Sequence, residues 1–162
     1  MRVAVTGTPG TGKTTATELL ETDLDVVHLN AVVEAEGMTV GTDERRGSWI
    51  ADLDAVADWL DGRDDVVVES HLAHRFDADR VVVLRCRPDE LRRRLEARGA
   101  APEKAAENAE AEALDLLLAE AVERHGPERL YEVDTTDLVL GRSPDRIGAD
   151  LQPGQGVSAG GG

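Results

Sequence analysis

The chain predicts an α/β fold, a five-stranded parallel sheet with helices on both faces. Three observations carry this prediction. Short β-prone segments alternate with segments of helical periodicity along most of the chain. Val66-Val67-Val68 and Val81-Val82-Val83-Leu84 are continuous apolar runs, the pattern of strands covered on both faces. Between the first β-prone run and the first helix lies Gly7-Thr8-Pro9-Gly10-Thr11-Gly12-Lys13-Thr14. Glycine, four residues, then glycine-lysine-threonine is the spacing of a phosphate-binding loop, which belongs at the carboxyl end of a first parallel strand.

Taken in order, Arg2-Val3-Ala4-Val5-Thr6 reads as the first strand, and Thr14 to Leu20 as a helix. Val26-Val27-His28-Leu29 is a second strand, after which Asn30 is placed to cap a helix reaching about Glu36. Gly37 and Gly41 break that pattern, and Thr42 to Ser48 is polar, with Arg45 and Arg46 adjacent. Helix returns at Asp52 to Leu60, with Leu53, Val56, Ala57 and Leu60 on one face, and Gly62 ends it. The two valine runs supply the next strands. Pro88 then opens a helix that buries Leu91 and Leu95 and stops at Arg98-Gly99. One long helix is expected from about Pro102 to His125, its buried stripe formed by Leu114, Leu117, Leu118, Ala121 and Val122. Leu130-Tyr131-Glu132-Val133 is the last strand, Pro144 starts a terminal helix, and residues 152–162 form a disordered tail.

At 162 residues the chain is long enough for one domain with a substantial core. No apolar run approaches the ~20 residues of a membrane span. The first strand begins almost at Met1, so no signal peptide is expected, and the single cysteine, Cys86, suits a reducing cytoplasm. Cys86 lies in an apolar run and reads as a packing residue. Charge is the outlying property: 33 acidic residues against 18 basic ones, a formal net charge of −15, with Lys13 and Lys104 the sole lysines. Such a surface resembles those of proteins from salt-loving archaea, and it argues against broad, direct nucleic-acid binding.

The loop carries the chemistry. Its glycines let successive N–H groups converge on phosphate oxygens, and the helix that follows adds the positive end of its dipole. Lys13 is placed to reach the β- and γ-phosphates of a nucleoside triphosphate, and the Thr14 hydroxyl to bind Mg²⁺. The fold class is thus that of the P-loop NTPases. His71 and His74 lack an evident third partner and make a poor metal site.

Other segments narrow the reading. Thr6-Gly7-Thr8-Pro9-Gly10-Thr11-Gly12-Lys13-Thr14-Thr15 resembles the loop of small nucleoside monophosphate kinases. Val68-Glu69-Ser70-His71, Arg94-Leu95-Glu96-Ala97-Arg98-Gly99, Glu107-Asn108 and Val133-Asp134-Thr135-Thr136 resemble the isoenzyme-six branch of the adenylate kinase family. The resemblance covers about residues 1–151 and implies a single P-loop kinase domain. It implies an AMP-binding insertion at about 30–53, a short lid at about 97–107, and transfer of a phosphoryl group from ATP to AMP or another nucleoside monophosphate. It also implies a role in small-ribosomal-subunit and rRNA maturation, with a small-subunit ribosomal protein as partner. Gly10, Gly12, Lys13, Thr14 and Thr15 match the family's ATP-phosphate contacts, and Arg98 its lid arginine. Glu69 matches the acid that orients Mg²⁺ through water, and His71 completes the acid-x-His pattern of the catalytic set.

Two departures stand out. The first helix of the insertion shows Val32-Val33-Glu34-Ala35, without an arginine to grip an acceptor phosphate; Arg45, Arg46 and Arg75 are the alternatives. Asp137 to Gly141 adds residues to the loop expected near the adenine. Two functions stay open on these grounds, a metabolic monophosphate kinase and an ATPase switch in ribosome assembly. The intact Lys13-Thr14-Thr15 disfavours a non-catalytic nucleotide sensor.

The net charge of −15 predicts salt-dependent stability. At about 1 M salt the Debye length falls to ~3 Å, and repulsion between exposed carboxylates is screened. Circular dichroism melts across a KCl series should show the melting temperature rising steeply toward molar salt. A constant melting temperature would remove the self-repulsion argument.

Overall fold

The computed structural model describes residues 1–18, 22–43 and 48–137. The expected terminal helix, the tail and the loop beyond Asp137 lie outside the described residues, as do Arg45 and Arg46.

The first strand, β1 (Arg2–Gly7), leads through the glycine loop into α1 (Lys13–Glu18). β2 (Asp25–His28) follows, then α2 (Leu29–Ala35), a hairpin of β3 (Thr39–Asp43) and β4 (Ser48–Ala51), and α3 (Leu53–Leu60). β5 (Val66–Glu69) and β6 (Arg80–Arg85) are the two valine runs. α4 (Pro88–Ala97), α5 (Pro102–Ala113), α6 (Leu116–His125) and β7 (Leu130–Asp134) complete the described chain. Five strands form one parallel sheet in the order β2-β5-β1-β6-β7, with β1 between the valine strands. The chain steps outward to β2, returns to β5, then crosses β1 to β6, so strand order reverses beside the carboxyl end of β1.

The valine runs explain why this sheet is buried on both faces. Val66, Val68, Val81 and Val83 pack with Leu29, Val33, Val56, Leu60 and Ala121 on one side. The intervening Val67, Val82 and Leu84 pack with Val3, Val5, Ala16 and Val133 on the other. Alternation along each strand sends neighbouring side chains into opposite layers.

Local chemistry sets several boundaries. Asp52 accepts a hydrogen bond from the Ala55 N–H at 3.2 Å and caps α3. Pro88 opens α4 at a position where its missing N–H costs nothing, and Asp89 and Glu90 complement the first turn. α2 departs from expectation: His28 stands at its N-cap, and the side chain of Asn30 is engaged elsewhere, accepting from Ser70 Oγ at 2.6 Å. On either side of the polar stretch after α2, β3 and β4 pair antiparallel, with a register irregularity between Thr39 and Gly41.

The long helix expected over 102–125 is two helices. Asp115 takes a left-handed conformation (φ 55°) and ends the periodicity. Arg85 at the end of β6 holds the break, donating to the Asp115 carboxylate and to the Glu112 carbonyl. Leu114, assigned to the buried stripe, is instead exposed at the break, and Val122 is also exposed.

Leu60 is 1% exposed between α3 and the sheet. Leu60→Ala should lower unfolding free energy by about 2–5 kcal/mol in denaturant titrations at molar KCl. A loss well below that range would mean that α3 is not packed as described.

Candidate active site

The loop between β1 and α1 is shaped by what lies behind it. Gly10 and Gly12 have φ of 98° and 91°, conformations open to glycine. A Cβ on Gly10 would also lie 2.9 Å from Cγ of Leu95 and 3.1 Å from Cγ of Leu91, so α4 packs directly against the loop. Backbone carbonyls of the loop are engaged from this rear side. Thr135 Oγ1 donates to the Thr11 carbonyl at 2.6 Å, and Arg94 donates to the Gly10 carbonyl at 3.4 Å. Thr8 Oγ1 donates to the buried Glu112 carboxylate at 2.8 Å.

In front of the loop lies a cleft of about 450 Å³. Gly10, Gly12, Lys13, Thr14 and Thr15 form its floor. Glu69 and His71 also line it; parallel pairing sets Glu69, the last residue of β5, level with Val5 of β1. Thr14 Oγ1 donates to Glu69 Oε1 at 3.2 Å, and His28 Nδ1 lies 2.8 Å from the same oxygen. Asn30 lines the cleft too, its amide 3.4 Å from His71 Nδ1 while its carbonyl holds Ser70. Arg98, at the end of α4, also lines the cleft, with Lys104, Glu107 and Asn108 of α5.

A family model described as an AAA domain matches residues 3–115, which takes in the loop, the whole cleft wall and α5. The chain belongs to the AAA-domain family. It is 66% identical over 137 residues to a protein named "Putative adenylate kinase" from Natronomonas pharaonis, covering 85% of this chain and 82% of that protein. A protein of the same name from Halobacterium salinarum is 61% identical over 153 residues, covering 94% and 88%. Among solved structures, shikimate kinase from Bacteroides thetaiotaomicron matches with a TM-score of 0.50 at 18% identity, covering 81% of this chain and 85% of that one. That likeness concerns the fold alone, a P-loop kinase fold.

Within this AAA-domain chain, the residues expected at the ATP phosphates and Mg²⁺ line one cleft: Gly10, Gly12, Lys13, Thr14, Thr15, Glu69, His71 and Arg98. Arg75 does not. It pairs with Glu120 at 3.2 Å and lines a separate cleft beside Leu53 and α6. His74 turns away as well; the residue is 1% exposed, and its ring bridges Thr6 Oγ1 at 2.8 Å and Glu120 at 2.9 Å. Cys86 is buried, and burial pushes its thiol up to about 11, in keeping with packing rather than nucleophilic use.

Sequence reasoning missed His28, Asn30, Lys104 and Glu112. Lysine scarcity could have flagged Lys104. The chain's two lysines both line the cleft of a molecule whose formal net charge is −15.

Electrostatics single out Lys13. Burial pushes its ammonium down to about 8; Glu69 and Glu112 oppose that shift, and Arg98 adds to it. His71 is held down to about 4, first by burial and then by the charge of Lys13, so it is neutral at pH 7. A cationic cleft with a neutral histidine and a shared carboxylate–hydroxyl pair suits a polyanion with a hard cation.

The Lys13 shift has a definite pH signature. In the unfolded chain the amine titrates near 10.5 and in the folded one near 8. Between those values the unfolded state binds more protons, so the burial penalty, complete below about pH 8, is relieved as pH rises. The stability of the parent relative to Lys13→Met should therefore increase from pH 8 toward 10.5, read by denaturant titration of both proteins. A pH-independent difference would place Lys13 in solvent.

Proposed function

We propose that this protein is a nucleoside monophosphate kinase that transfers the γ-phosphoryl group of ATP to AMP. The observation that carries the reading is the convergence of the loop, Glu69, His71, Arg98 and Lys104 on one cleft. The names of the similar archaeal proteins point the same way.

Phosphoryl transfer passes through a loose, highly charged transition state, so positioning and charge stabilisation do most of the work. The loop's N–H groups and Lys13 hold the phosphate chain of ATP. Arg98 and Lys104, which line the same cleft, balance the charge that spreads over the moving phosphoryl group. Thr14 and Glu69 offer the hydroxyl and carboxylate oxygens that Mg²⁺ prefers, Glu69 through water. Bound there, Mg²⁺ supplies charge neutralisation for the phosphates. Neutral His71 donates or accepts one hydrogen bond beside Glu69 without adding charge. A monophosphate oxygen is already a competent nucleophile, so no general base is required.

The acceptor belongs beside α2 and the hairpin, which occupy the expected insertion at about 30–53. The turn from Arg98 into α5 occupies the expected lid at about 97–107. α2 carries no arginine. That favours a second activity beside transfer, slow hydrolysis of ATP, because a loosely held acceptor leaves room for water. A role in small-ribosomal-subunit maturation, with a small-subunit ribosomal protein as partner, rests on the sequence resemblance.

ADP formation from ATP, with and without AMP, in Mg²⁺ and molar KCl, tests the reading. AMP should accelerate ADP formation well above the AMP-independent rate, and Lys13→Ala should lower both by about 10²-fold or more. Hydrolysis of ATP with no monophosphate phosphorylated would replace the kinase by the ATPase switch. Full turnover in Lys13→Ala would move the catalytic centre away from the loop.

A further inference from the structure

We propose that Glu112 is a positioning residue of the phosphate loop: through Thr8 it sets the carbonyl against which Lys13 and Thr11 are held. The proposal rests on the nucleotide reading above but concerns a residue far along the chain.

Glu112 is 4% exposed, an expensive place for a carboxylate. Its two oxygens are divided between different elements. Oε2 accepts from the Cys86 N–H and from Arg85 Nε, each at 3.0 Å, which ties α5 to the end of β6. Oε1 accepts from Thr8 Oγ1 at 2.8 Å, in the first turn of the loop. Thr8 passes this anchoring on through its backbone. Its carbonyl accepts from the Thr11 N–H at 3.1 Å, from Thr11 Oγ1 at 2.8 Å and from Lys13 Nζ at 3.4 Å. A hydrogen-bonded path therefore runs from α5 through Glu112 and Thr8 to the ammonium expected at the phosphates.

A role confined to neutralising Arg85 accounts for less of this geometry. Arg85 also pairs with Glu132 at 3.1 Å and with Asp115, so its charge has other carboxylates. The bond to Thr8 adds nothing to Arg85 but removes a rotational freedom from the loop. Glu112 also shares a helix face with the cleft. Lys104, Asn108 and Glu112 follow at four-residue spacing on α5; the first two line the cleft, and the third reaches beneath the loop. α5 thus acts as a rigid strut between the cleft wall and the loop floor.

The test uses Thr8→Val, Glu112→Gln and the double variant of the full chain in molar KCl. Valine keeps the shape of Thr8, removes one hydroxyl and leaves the Arg85–Glu112 pair intact. Three quantities are read: kcat/KM for ATP with AMP present, affinity for ADP by calorimetry, and melting temperature. Thr8→Val should lower kcat/KM and ADP affinity by about tenfold or more, with the melting temperature lowered by a few degrees because Glu112 Oε1 loses a buried donor, and with the folded state fully populated at the assay temperature. Glu112→Gln should do the same, and the double variant should be no worse than the poorer single one, because both cut one path. Parent-like kcat/KM and ADP affinity in Thr8→Val, or losses that multiply in the double variant, overturn the proposal. If Glu112→Gln does not fold, Thr8→Val decides alone. A parent that binds ADP without turnover overturns the kinase reading but not this one, which the ADP affinities then decide. A parent that binds no ADP overturns both.

Discussion

The structure depends on keeping one cation, Lys13, out of bulk water at the end of a parallel sheet. An isolated buried ammonium would lose its proton or destabilise the fold. Here the surroundings are built to tolerate it. Glu69 and Glu112 supply opposing charge, and the Thr8 carbonyl accepts from Nζ. These partners come from β5, α5 and the loop, so the placement of Lys13 draws on most of the fold. The outcome is a positive, partly desolvated floor that a phosphate chain would complete.

That constraint explains why the sheet order matters. With β1 between β5 and β6, the loop, Glu69 and the Arg85–Cys86 segment arrive at one edge. Parallel pairing makes all these strands finish on the same side, and the reversal of order leaves a crevice between β1 and β5. α4 then seals the rear of the loop through Leu91 and Leu95. Its charged residues Glu90, Arg93 and Arg94 bind one another, and Arg94 also reaches the loop and the backbone after β7.

Charge is distributed unevenly, and the unevenness is informative. An excess of carboxylates covers the molecule, while its two lysines and Arg98 converge on the cleft. A local cationic site inside an anionic field attracts a small polyanion at short range without attracting nucleic acid at long range. Strong salt would screen the exposed carboxylates more than the buried Lys13, because charges out of contact with bulk solvent are screened less.

Much was legible in the residues themselves. The valine runs specified strands covered on both faces, because only such strands can be apolar at every position. The glycine-lysine-threonine spacing specified the loop, since a backbone that wraps phosphate needs residues that tolerate positive φ, as Gly10 and Gly12 do. Strand-end Glu69 and helix-end Arg98 were recognisable from short motifs beside those elements. The break at Asp115 was not, because helical periodicity continues through it; Arg85, thirty positions earlier, holds it by reaching Glu112 and Asp115. Nor were Asn30 as a partner of Ser70 and His71, or Glu112 as a partner of Thr8, since each joins residues remote in sequence. The sequence by itself determined the strand–loop–helix unit and its phosphate chemistry, because local backbone sterics and hydrophobic periodicity act over a few residues. Only the tertiary structure decided which carboxylates and amides surround Lys13, because those contacts exist only once the sheet has brought distant strand ends together.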